Sequence, residues 1–226
     1  MKDPMGELRE IVIGGLANNI LQTEEALILR TKITANATQI DKSGSGHLFG
    51  RLQAILGRFA ILSVCRLFEK ESDSYPLQSI PIALNHLRFN AEYLKIENKE
   101  FTIKKLITFG HEKNQFEGIP DPWITQLVRK EFADRLPVPG NPESGELSSA
   151  MDALKTINDK PMATIVTVQK SDDMTPAETK IRILLEFAKE FVETIGKGYL
   201  NTSPEWTTAK TSEEIARLLS QAGIKA

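Results

Sequence analysis

Cysteine is nearly absent. The chain of 226 residues carries one, Cys65, which excludes an internal disulfide and any CxxC metal or redox motif. Its apolar neighbours in AILSVCRLF point to a buried, reduced thiol. Histidine is scarce too. His47, His86 and His111 are far apart and form no paired zinc pattern, so neither a metal nor a cofactor is expected. The commonest phosphate cradle, a glycine-rich loop ending in Lys-Ser/Thr, is missing. No apolar run approaches the roughly 20 residues that a membrane span requires, and MKDPMGELREIVIGG lacks the basic-then-apolar pattern of a secretory leader. The expectation is a cytoplasmic chain with no membrane contact. A formal net charge of −2 exerts no global pull on nucleic acid, so RNA binding would need a local basic patch. With 41% hydrophobic and 26% charged residues, the chain is ordinary for a folded protein of one large domain or two small ones.

Strand signals are also scarce. MATIVTV is the only β-branched run, and one short run does not make a sheet. Helical periodicity dominates instead. From Glu7 to about Ile40 a stripe runs through Leu8, Ile11, Val12, Leu16, Ile20, Leu21, Leu27 and Ile28. DKSGSG at 41–46 breaks it. The next segment places Leu48, Leu52, Ile55, Phe59 and Leu62 three or four apart. Leu56, Val64 and Leu67 widen that stripe, which predicts a central core helix buried on more than one side. ESDSYPLQ reads as a loop, with Ser79 capping a helix that has Pro81 in its first turn. A further helix opens near Asp121 and Pro122 and closes at Pro137. PVPGNPESG is the best linker candidate, with three prolines and two glycines in nine residues. Two helices follow, in LSSAMDALKTI and TPAETKIRILLEFAKEFVETIG, and Thr211 with Glu214 makes a capping-box pattern before a last helix ending at Gly223. The predicted fold is all-α, an antiparallel bundle over 7–198 with a C-terminal extension over 199–226.

Several side chains are candidates for chemistry. Arg51 and Arg58, seven residues apart, share one face of the core helix and could meet phosphates or a partner's carboxylates. The plain alternative is a solvated helix edge. Arg66 and Glu69 stand at i, i+3, suited either to pairing with each other or to lining a pocket. His47 at a helix start reads as surface, His86 as hydrogen-bonded and partly buried, and His111 after Gly110 as a turn. Between the two late helices lies NDKPMAT, a polar bend carrying an acid, a base and a proline.

Three features taken in order resemble the HEPN superfamily, in particular its AbiU-like branch named for phage abortive infection. RLFEKESD is similar to that branch's arginine-leucine-x-acid helix ending. SIPIALNHL resembles its serine-leucine helix start. ALKTINDKPMAT followed by MTPAETKIRILLEFAKEFVETI looks like its signature segment and closing helix. The likeness spans roughly residues 7–198. In active members the signature holds an arginine and, four to six positions later, a histidine. Laid on this chain, those positions are Asn158 and Thr164, while Asp159, Lys160 and Ala163 match.

The two departures have chemical consequences. RNA cleavage without a metal needs a group that takes the 2′-hydroxyl proton and one that protonates the leaving oxygen. Histidine, with a pKa of about 6.5, serves at neutral pH, and threonine does not titrate there. Asparagine replaces a forked cation by one neutral amide. The resemblance therefore implies a degenerate ribonuclease motif at Asn158, Asp159, Lys160 and Thr164, and a homodimer whose two bends face each other. It also implies a role in binding RNA or a nucleotide, or as a regulatory partner in a defence module. One rival reading is a pure protein–protein scaffold that docks its partner through Trp206 and the helix near 213–222. Another is an enzyme built on Arg66, Glu69 and one of the histidines.

Overall fold

Asp3 starts the first helix by accepting the Met5 amide at 3.1 Å, with Pro4 in the first turn where its missing N–H costs nothing. The computed structural model describes residues 3–70, 78–138, 140–141, 145–158, 175–206, 209–221 and 224. All regular structure among them is helical, with no strand, as the sequence pattern predicts. Helix α1 (Pro4–Arg9) passes through a π-helical stretch, Glu10–Ala17, into α2 (Asn18–Ala35). Leu8, Val12, Leu16, Ile20 and Leu27 form its buried face. The π stretch has no sequence signal. It carries Gly15, where a Cβ would overlap the Gln78 side chain.

A short α3 (Ala37–Lys42) and a turn through Gly44, at φ +78°, reverse the chain into α4 (Gly46–Arg66), which lies back along α2. Here the sequence expectation is corrected. The face of α4 turned to the core is Gly46, Gly50, Gln53, Gly57, Ala60 and Val64. Much of the large apolar stripe points outward: Leu48 is 67%, Ile55 56%, Phe59 42% and Leu62 38% exposed. Glycine and alanine at alternating spacings of four and three let two helix backbones approach closely, and bulky side chains on that face would hold them apart. The seam is partly polar, with Thr23 and Arg30 of α2 buried and Gln53 Nε2 donating to Thr34 Oγ1 at 2.8 Å. By length and composition alone α4 could cross a bilayer, with a mean hydropathy of 1.4 over its most apolar 18 residues, a test that a core helix of a soluble protein also passes.

Then follow α5 (Ile80–Asn90), α6 (Lys99–Thr108, capped by Asn98 at 3.0 Å from the Phe101 amide), α7 (Asp121–Asp134), α8 (Glu146–Asn158) and α9 (Thr175–Tyr199). The centre of the core is α9, not α4. Ile181, Leu184, Ala188, Phe191, Val192, Ile195 and Tyr199 are wholly buried. Phe132 of α7 meets Phe187 and Phe191 edge-on, with ring centroids at 5.8 and 5.1 Å.

The C-terminal segment folds onto the rest of the chain. Ile215 and Leu219 of α10 (Ala209–Gln221), with Ile224, join Ile33, Ala37 and Ile40 in a second apolar cluster against Phe49, Leu52 and Leu56. Thr211 is inside α10 and donates to Glu25 at 2.8 Å, so it does not serve as the helix cap that its spacing to Glu214 implies. Trp206 donates its indole N–H to Glu193 at 2.8 Å beneath Lys189. The elements assigned by the scaffold reading to an outside partner are occupied by their own chain.

Candidate functional site

The sequence points to the place where α4 ends, α5 begins and α8 stops. Helix α4 closes at Leu67, whose carbonyl accepts the Ile80 amide at 2.8 Å, while the Ser79 hydroxyl donates to the Glu69 carbonyl at 2.7 Å. Ser79 is therefore a clamp between two helix ends; its side chain does not cap α5. Cys65 is half-buried beside them. Burial pushes its thiol up to about 11, with Lys155 of α8 pulling the other way and Glu69 adding to the rise. The last turn of α8 thus lies by the end of α4. Asp159, Lys160 and Thr164 lie outside the described residues, and of Asn158 only the helical backbone is described.

One consequence is measurable. A thiol raised from 9.0 to about 11 holds about a hundredfold less thiolate at neutral pH. Iodoacetamide is expected to label folded Cys65 at least that much more slowly than the urea-unfolded chain, and equal rates would contradict the burial.

The other predicted residues separate. Arg66 and Glu69 are exposed, and the contact between them is a backbone one, the Glu69 amide to the Arg66 carbonyl at 3.3 Å. No side-chain pair joins them among the described residues. The helix ends at Arg66, so the i, i+3 spacing no longer sets both side chains on one face. Arg51 and Arg58 are exposed on α4. Arg58 precedes Arg66 by a helical rise of about 12 Å, so the pair belongs to the outer face and not to the junction. His47 is exposed. His86 Nε2 lies 2.8 Å from the Pro4 carbonyl, so this nitrogen carries the proton. His111 follows Gly110 (φ +101°) and meets Glu131 at 2.9 Å. His86 and His111 are half-buried, and neither is hydrogen-bonded directly to Arg66 or Glu69 among the described residues.

A larger feature escaped the sequence. Between α6, α7, α8 and α9 opens a cleft of about 1140 Å³. On its wall Glu190 accepts from Lys105 Nζ at 2.8 Å and Arg135 Nη2 at 2.6 Å. Burial raises the Glu190 carboxyl, but those two cations outweigh it and hold the group below the usual carboxylate range. The Arg135 guanidinium also lies over Phe109, Phe132 and Phe187, at 5.0, 5.7 and 5.1 Å from their centroids. Lys189 pairs with Glu24, and Glu193 holds Trp206. These charges stitch helices together instead of pointing at an open space. The only sequence hint is the phasing of Phe187 with Glu190 on one helix and of Phe132 with Arg135 on another; nothing local joins positions so far apart. Among the described residues no group of three or more His, Cys, Asp or Glu is arranged to hold a metal ion. Compared with family models, curated proteins and solved structures, the chain matches none.

Proposed function

We propose that the chain is a HEPN-like, AbiU-related helical protein that has lost ribonuclease chemistry. It acts in the cytoplasm by holding RNA or a nucleotide, or as a regulatory partner in a phage-defence or toxin–antitoxin-type module. One observation carries the reading. The three segments that bear the resemblance, separated by up to about ninety positions in the chain, meet at one place: the end of α4, the Ser79 start of α5 and the last turn of α8. Lys155, three residues before Asn158 in the last turn of α8, lies close enough to Cys65 at the end of α4 to act on its thiol, which supports the reading. What the bend carries is a neutral amide at Asn158 and an alcohol at Thr164, which supply neither a fixed cation nor a proton shuttle.

The pure scaffold reading is the weaker of the two, because Trp206 and α10 are already docked on α9 and α2. The test uses purified protein with tRNA and mixed RNA. No cleavage is expected from the natural sequence. Restoring both groups in N158R/T164H is expected to yield cleavage on the order of a hundredfold above background or more. Cleavage by the unaltered protein, abolished by Asp159→Ala or Lys160→Ala, would defeat the inactive reading.

A further inference from the structure

The outward face of α4 is bulky and apolar. At about 100° per residue, Leu48, Phe59 and Leu62 stand within roughly 40° of Ile55 around the helix, over an axial rise of about 21 Å. The four are between 38% and 67% exposed. Beside them an apolar groove of about 460 Å³, floored by Ala26 and Leu29 of α2 and closed by Ile215 of α10, widens the water-avoiding surface. The opposite face of α4 is committed. Its glycines lie against α2, and Gln53 is bonded to Thr34 within that seam. The helix therefore presents one side only and lies flat on the bundle, where a spanning segment would have to leave α2.

The charges on this face have one sign. Arg51 and Arg58 are exposed and stand roughly 40–60° to one side of Ile55. Helix α4 contains no acidic residue, and the first acids along the chain in either direction are Asp41 and Glu69, both outside it. Glu25 of α2 is exposed on the far side of the groove and accepts from the Thr211 hydroxyl, so the basic edge is the one turned away from α2 and α10. Bulky apolar side chains in line, with arginines along one edge, are the make-up of a helix that lies in a membrane interface. The apolar groups enter the acyl boundary. Arginine stems run along apolar surface while their guanidiniums reach lipid phosphates. A nucleic acid would engage the arginines and leave Leu48, Ile55 and Phe59 in water. An apolar partner would cover those three and leave the arginines without a counter-charge.

We infer that the outward face of α4 docks the protein peripherally on an anionic phospholipid surface, with Leu48, Ile55, Phe59 and Leu62 in the interface and Arg51 and Arg58 on the phosphates. The sequence expectation of no membrane contact rests on the lack of an unbroken apolar run, which a spanning segment needs and a helix lying on the surface does not. Docking of this kind asks for no change of compartment, because the cytoplasmic leaflet is the one that carries negative lipid. The face does not include the junction of α4, α5 and α8, so it leaves room for a dimer whose bends meet there. Nor does it use the bend at Asn158. The inference can therefore fail while the proposed function stands, and the reverse.

The full chain is expected to co-sediment with mixed phosphatidylglycerol–phosphatidylcholine vesicles and to bind phosphatidylcholine alone on the order of tenfold more weakly. Rising salt should release it progressively. Ile55→Glu and Leu48→Glu, both at exposed positions, are each expected to weaken binding on the order of tenfold or more with unchanged helical circular dichroism. R51E/R58E is expected to weaken it on the order of a hundredfold, since two charges are reversed. Phe89→Ser and Trp123→Ser remove side chains that are 73% and 67% exposed on α5 and α7, and are expected to leave binding unchanged. No co-sedimentation of the natural chain, or binding indifferent to Ile55→Glu and R51E/R58E, overturns the proposal. Loss of binding through Phe89→Ser or Trp123→Ser does the same, because adhesion would then not run through α4. Two further outcomes reassign the face. Self-association without lipid that Ile55→Glu abolishes would give it to a second copy. RNA retention that R51E/R58E abolishes, with no binding to vesicles, would give the arginines to nucleic acid. Either one overturns lipid docking.

Discussion

Replacing Arg135 with alanine is expected to lower the stability of the bundle by about 2–4 kcal/mol. The guanidinium lies over three phenylalanine rings, each contact contributing roughly 0.5–1 kcal/mol at a partly open site. It also donates to Glu190 at 2.6 Å, a charge-assisted hydrogen bond of roughly 1.5–3 kcal/mol before discounting for the 38% exposure of the arginine side chain. For a chain of this size that corresponds to a fall in Tm of about 2–4 °C per kcal/mol. Arg135→Lys is expected to recover less than half of the loss, because an ammonium keeps the charge but cannot lie flat on the rings. The effect depends on acidity with a definite sign. The folded Glu190 carboxyl is depressed, so its stabilisation is present above the unfolded value of 4.5 and is lost as pH falls through the lower folded value. The gap between the natural chain and R135A, read from urea midpoints, should therefore narrow as pH falls below that value. A gap that stays constant into stronger acid would mean that stacking, not the ion pair, is responsible.

The second large effect tests the orientation of α4. Val64→Asp is expected to cost about 4 kcal/mol or more and to abolish cooperative unfolding at modest urea. It puts a carboxylate with no partner at a wholly buried position. Ile55→Asp, on the same helix, is expected to change subunit stability by less than about 0.5 kcal/mol when measured on dilute protein, since Ile55 is 56% exposed. Circular dichroism against urea separates the two outcomes. If Ile55→Asp unfolds the subunit and Val64→Asp does not, α4 is rotated by half a turn from the arrangement described.

The pair also marks where sequence periodicity reaches its limit. A stripe of leucines at three-four spacing says that one side of α4 avoids water, but not what covers it. Two stripes share this helix, a bulky one through Leu48, Ile55 and Phe59 and a small one through Gly50, Gly57 and Ala60, and hydropathy weights only the first. Close packing against α2 selects the second. Periodicity gives the opposite answer on α9, where Ile181, Leu184, Ala188, Phe191 and Ile195 are both the large residues and the buried ones. No small-residue face competes for the contact there. The junction at Cys65 was legible in part. Its three segments can be picked out by their composition, but Ser79 reads as a helix cap, and only the fold shows its hydroxyl on the Glu69 carbonyl.

The amino-acid sequence alone determined an all-helical bundle, the turn at Gly44, the scarcity of groups for metal or acid–base chemistry and the segments that bear the family resemblance. Each follows from residue type or local spacing, which act over a few positions. Tertiary structure decided which face of α4 meets α2, that α9 is the centre, that Arg135 clamps Glu190 over three rings, and that Trp206 and α10 close onto their own chain. Those outcomes turn on shape and charge matched between residues up to nearly two hundred positions apart, and no local pattern encodes that match.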